Sequence, residues 1–177
     1  MRRLPAGLAA VCLAGALAGP IHAREASIAT HPSSLWEAIE LLAPQAPFRP
    51  AQVQAVLGTT LSTATSGVNE YFDLYRSTPV ALADGVIIAN VDLRIARQGS
   101  HPGFMVLELG GACVTLAQVR EHYGELRITG FPRGRSINET TSHTSVRAWG
   151  ALSFSFAERQ RECLSSIAFD PAKRPPP

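Results

Sequence analysis

Past residue 32 the chain carries three histidines, His101, His122 and His143, and two cysteines, Cys113 and Cys163. These are the side chains that acid–base or nucleophilic chemistry would use. The histidines are far apart. His122 follows Glu121 in a helical stretch and His101 precedes Pro102 in a turn, both ordinary surface placements. Only His143 has neighbours of the mixed kind an active site needs, namely Glu139, Arg133 and Arg135. A solvated loop explains that group at least as well. No G-x-S-x-G elbow, H-E-x-x-H helix, phosphate-binding glycine loop or paired C-x-x-C occurs. No catalytic centre, metal site or cofactor is therefore expected. Asn138-Glu139-Thr140 is a glycosylation sequon, relevant only in a eukaryotic secretory pathway.

Whether the cysteines are reactive depends on compartment. Arg2 and Arg3 precede an apolar run from Leu8 to Ala18, Gly19-Pro20 breaks it, and Ile21-His22-Ala23 ends in a small residue. This is the pattern of a cleaved signal peptide over residues 1–23. The apolar run is too short to cross a ~30 Å hydrocarbon layer, and no later stretch is long enough, so no integral span is expected after cleavage. Cys12 would leave with the signal. Cys113 and Cys163 then remain as an even pair in an oxidising compartment, the periplasm or the exterior, and read as a disulfide. Closing a loop of about 50 residues, it would contribute roughly 4 kcal/mol in the chain-entropy model. A cysteine nucleophile is the less favoured alternative.

Composition narrows the partners. The 177 residues are 46% hydrophobic and 17% charged, which suits a folded domain and not a disordered chain. Without Arg2 and Arg3 the sixteen basic residues fall level with the fourteen acidic ones. A general attraction to nucleic acid has little support on that balance.

The elements that would position these residues follow from periodicity. Arg24 to Pro32 is a polar leader. Ser34-Leu-Trp-Glu37 has the spacing of a helix cap, and Leu35, Trp36, Ile39 and Leu42 recur at helical spacing. Pro50 opens a second helix with Val53, Val56 and Leu57 as its stripe and Gly58 as its stop. The period then changes to two. Phe72 and Leu74 alternate with Tyr71, Asp73 and Tyr75. Ile87, Ala89, Val91, Leu93 and Ile95 alternate with Asn90, Asp92 and Arg94. Phe104 to Leu109 returns as a strand. Thr115 caps a third helix that ends at Gly124, and a loop is expected from Thr129 to Thr144. Val146 to Ala157 reads as one strand with Leu152, Phe154 and Phe156 inward and Arg147, Trp149, Ser153 and Ser155 outward. Cys163 to Phe169 closes the sheet, and residues 171–177 are a Pro-rich tail. The fold class is α+β: an antiparallel sheet of five to six strands with helices on one face.

The plan is expected to occur twice, over 33–110 and 111–170. Ala51-Gln52-Val53 with Gly58 matches Ala117-Gln118-Val119 with Gly124 in type and spacing, and Ile95-Ala-Arg-Gln98 is echoed by Phe156-Ala-Glu-Arg-Gln160. On Val53, Leu57 and Gly58, and on Val119 and Gly124, the layout resembles small outer-membrane assembly lipoproteins of the SmpA/OmlA type. In tandem it resembles the β-lactamase inhibitory protein family. The resemblance implies helices on one face of a sheet whose other face is open, concave and used to grip a protein, with no chemistry performed. The sequence departs from that family in offering one bridge to the second unit and none to the first.

Tyr71, Tyr75 and Trp149, with Arg94 and Arg147, are expected together on the open face as anchors of a protein interface. Arg133 and Arg135 project from the long loop, where either would pair with a carboxylate of the partner. The functional expectation is a periplasmic inhibitor or immunity protein that sterically blocks a secreted enzyme or toxin. The alternatives are a structural envelope component, or a hydrolase using His143 and Glu139.

Overall fold

In a computed structural model that describes residues 31–64, 70–98 and 101–172, Ser34 begins helix α1 (Leu35–Leu42). The Ser34 hydroxyl accepts from the Glu37 amide at 3.2 Å, while the Glu37 carboxylate reaches back to the Ser33 amide at 2.8 Å. The Leu35 amide, another donor without an intrahelical partner, goes to Asp84 at 2.8 Å. Helix α2 (Pro50–Leu57) starts on a proline and stops at Gly58, which takes a left-handed φ of 63°. In helix α3 (Leu116–Tyr123), Thr115 and Gln118 form a reciprocal capping box, and Gly124 ends it.

Nine strands form one antiparallel sheet: β1 (Leu61–Thr63), β2 (Phe72–Ser77), β3 (Val80–Ala81), β4 (Val86–Ala96), β5 (Phe104–Gly111), β6 (Arg127–Gly130), β7 (Thr140–Arg147), β8 (Gly150–Ala157) and β9 (Leu164–Pro171). The order is β1-β2-β4-β5-β9-β8-β7-β6, with β3 beside β4. Helix α2 is followed by β1 to β5, and α3 by β6 to β9; the two groups meet where β5 pairs with β9. The α+β class and the antiparallel sheet agree with the sequence. The strand count exceeds the expected five to six because the stretch read as a loop, Thr129 to Thr144, contains β6's end and most of β7. Serines and threonines there hide the strand. The stretch read as one strand, Val146 to Ala157, is a hairpin turning at Ala148-Trp149.

All three helices lie on one side of the sheet. Leu35, Ile39 and Leu42 of α1, Val53 and Leu57 of α2, and Val119 of α3 share a core with Leu93, Met105, Leu107, Leu152, Phe154, Ile167 and Phe169. Rings tie the layers together: Phe48 meets Phe169 edge-on, and Tyr123 packs against Phe154 at 4.9 Å. A disulfide joins Cys113, just after β5, to Cys163, just before β9, with Cα atoms 5.0 Å apart. No helix of the described residues is long and apolar enough to cross a membrane. The expected signal peptide, the leader through residue 30, and the tail beyond residue 172 lie outside the described residues; Pro171 itself belongs to β9.

Candidate functional site

Residues directly opposite in an antiparallel ladder point to the same side of the sheet, so the register sorts every strand residue into helix-covered or bare. One covered row runs Tyr75, Leu93, Met105, Phe169, Leu152, Ser145, and the next runs Val91, Leu107, Ile167, Phe154, His143, Ile128. Between them on the bare side runs Asp92, Val106, Ala168, Ser153, Thr144, Arg127. Small hydroxyls dominate the middle of that side, and they satisfy one another. Thr144 bonds Thr129 and Ser153, each at 2.7 Å, and Ser142 bonds Ser155 at 2.9 Å.

This sorting corrects the expected anchor set. Tyr75 stands across from Leu93 on the helix side and packs against the core, whereas Arg94 stands across from Leu74 and Phe104 on the bare side. Trp149 stacks on Phe169, a core ring, and Arg147 lies over the Tyr123 ring of α3 at 5.1 Å. Tyr71 is 66% exposed, just before β2. Tyr75, Trp149 and Arg147 are therefore not grouped with Arg94. On β2, Phe72 and Leu74, expected inward, stand on the bare side across from Ala96 and Arg94, which turns Tyr75 toward the helices. The hairpin turn at Ala148-Trp149 interrupts the alternation assumed from Val146 onward. A bulge between Ile88 and Asn90 turns Val86 and Ile88 into the core and leaves Ile87 and Ala89 exposed.

At one flank of the bare side Asp92 is buried, closed over by two arginines. Arg76 Nη1 is 2.7 Å from it, and Arg94 binds both its oxygens, at 3.1 and 2.8 Å. Burial alone would raise the Asp92 carboxyl, but the bonds from Arg94 and Arg76 together outweigh it and hold the carboxyl below its ordinary value. Arg94 also lies 4.8 Å from the centre of the Phe104 ring, which Phe72 meets edge-on.

At the opposite flank the β6–β7 connection, residues 131–139, is built around one carboxylate. Glu139 accepts from the amides of Arg133, of Gly134 at 2.9 Å and of Arg135 at 3.2 Å. Gly134 has a φ of 76°, which lets three successive amides turn toward one acceptor. The loop is tied to the rest of the chain by bonds from Glu158 N to Glu139 O and from Arg159 N to Ile137 O, at 2.9 and 2.8 Å. With its backbone donors turned inward, the loop shows side chains to solvent: Phe131 is 70% exposed and Ile137 69%, and Arg133 and Arg135 are exposed too. Val146 of β7, on the bare side across from Ala151, is 74% exposed. Phe131, Ile137 and Val146 were missed in the sequence. Large apolar residues inside a Ser/Arg/Gly-rich stretch were the available signal.

The possible acid–base group does not assemble. Glu139 is bonded to the loop amides, while His143 is a buried residue of β7, on the covered side against the edge of Phe156. Its Nδ1 has no hydrogen-bond partner, and burial followed by the charge of Arg120 lowers its pKa. His122 stacks on Trp36 at 4.0 Å, and His101 accepts from the Gly103 amide at 3.0 Å. Among the described residues no group of His, Cys, Asp and Glu could hold a metal ion. The chain matches no protein-family model, no curated protein and no solved structure.

Proposed function

We propose that the chain is a protein-binding protein, an inhibitor or immunity protein of the periplasm that sterically blocks a secreted enzyme or toxin. The observation that carries this reading is the 131–139 loop, in which one carboxylate fixes the backbone while Phe131 and Ile137 stand in water beside Arg133 and Arg135. Exposed apolar side chains on a pre-ordered loop lose little freedom when a partner covers them, which is how inhibitory loops gain affinity. The sheet side without helices supplies a floor of small residues beside the loop. The disulfide supports an oxidising compartment. The reading also takes the halves as repeats of one unit. Support comes from the buried pair Val53 and Val119, the two helix-ending glycines, and the matching order of strands outward from β5 and β9.

The test is binding to the secreted enzyme or toxin encoded beside this chain's gene, with Phe131→Ser and Ile137→Ser as variants whose folding is checked by circular dichroism. Each is expected to weaken binding about tenfold or more, the scale of an interface anchor. A neighbour that does not bind, or affinity untouched by both substitutions, would overturn the reading.

A further inference from the structure

The charge around the loop says what kind of protein surface fits it. Arg133 and Arg135 are exposed and make no ion pair among the described residues; the same holds for Arg127, at the bare end of the β6 row, and Arg159, whose amide bonds the loop. The acids of the loop and of the segment bonded to it are engaged. Glu139 is held by three amides, and Glu158 pairs with Arg161. The loop thus presents two unpaired guanidinium groups between Phe131 and Ile137, while the chain as a whole has a formal charge of only +2. A polyanion would call for a broad basic surface; two unpaired arginines on one loop, flanked by apolar side chains, match a local and mixed target.

We propose that the 131–139 loop binds an acidic segment of its protein partner, one in which carboxylates flank an aromatic or aliphatic side chain. Arg133 and Arg135 take the carboxylates through planar two-point contacts, and the apolar residue seats against Phe131 and Ile137. This rests on the protein-binding reading above and specifies the partner's chemistry.

The probe is a displayed pool of random peptides of about twelve residues, panned on the full chain and, in parallel, on a Phe131→Ser/Ile137→Ser variant. Peptides rich in Asp and Glu around an apolar residue should enrich on the wild type. As synthetic peptides they should bind at least about tenfold more weakly when salt rises from ~0.05 to ~0.5 M, because added salt screens exposed charge. They should lose a similar factor in Arg133→Glu/Arg135→Glu and a smaller one in Arg133→Lys, which keeps the charge and loses the planar fork. Enriched peptides without acids, or binding that survives both salt and charge reversal, would overturn the acidic partner while leaving a protein-binding loop. So would arginine-dependent sedimentation with phosphatidylglycerol vesicles or retention on duplex DNA in place of peptide binding. Equal enrichment on wild type and the apolar-loop variant would overturn the protein-binding reading itself. All variants lie in an exposed loop, and their near-ultraviolet circular dichroism is compared with wild type to confirm an intact core.

Discussion

The indole of Trp149 stacks on the ring of Phe169, centroids 6.1 Å apart and planes 24° from parallel, so the tip of the β7–β8 hairpin closes one end of the core. Phe169 in turn meets Phe48 edge-on at 5.9 Å, linking that hairpin to the segment between α1 and α2. Trp149→Ala is expected to destabilise the fold by about 2–3 kcal/mol, as removal of a partly buried ring does. Tyr71→Ala, at a largely exposed position, should cost under about 1 kcal/mol. Urea unfolding of the two variants measures the contrast, and equal losses would contradict the placement of Trp149.

Asp92 should make stability sensitive to strong acid. Its folded carboxyl titrates below the ordinary value of 3.8, so its contribution is complete above that pH and fades as pH falls through the folded pKa. Asp92→Asn should cost about 1–3 kcal/mol at neutral pH, because Arg76 and Arg94 lose the opposite charge and one of its two accepting oxygens. The gap between variant and wild type should close in strong acid. Unfolding curves across that range give both numbers.

His143 acts at a higher pH and through burial. The fold lowers the pKa of its imidazole, whereas in the unfolded chain it protonates near 6.5. Below that pH the unfolded state binds more protons, so stability is full above it, declines as pH drops, and levels off below the folded pKa. The charges and rings that face it are Arg120 of α3 and Phe156 of β8. His143→Gln should flatten this part of the stability–pH curve, even if its neutral-pH stability is lower.

Glu139→Ala should loosen the loop and spare the core. The amides of Arg133, Gly134 and Arg135 lose their acceptor, and hydrogen exchange at these three positions should speed up by about tenfold or more. The melting temperature should change little. A large fall in melting temperature would mean that the loop supports the sheet.

Serine at both Cys113 and Cys163 should cost about 2–4 kcal/mol, the range for a native bridge over a long loop. Reductant should lower the wild-type midpoint toward that of the variant and leave the variant unchanged.

Signals contained within one turn of chain were legible in the sequence. Ser34 and Thr115 start helices, Gly58 and Gly124 stop them, Phe154 and Phe156 alternate inward, and Cys113 pairs with Cys163. Each depends on neighbouring residues, or, for the cysteines, on there being two of them beyond the apolar N-terminal run. Which side of the sheet Tyr75, Arg147 and Trp149 occupy was decided by the tertiary structure alone. Strand β2 offers Phe72 and Leu74 on one side and Tyr75 on the other, and only its pairing with β4 puts Tyr75 across from Leu93; the tight turn at Ala148–Trp149 breaks the alternation that placed Arg147 and Trp149 outward. Strand β7 escaped notice for a related reason. Its bare side carries Ser142 and Thr144, whose hydroxyls are satisfied only by Thr129, Ser153 and Ser155 across the ladder. The sequence placed Arg133 and Arg135 in a loop; that one carboxylate turns that loop into a fixed platform, with Phe131 and Ile137 facing water, emerged only once the backbone had folded around Glu139.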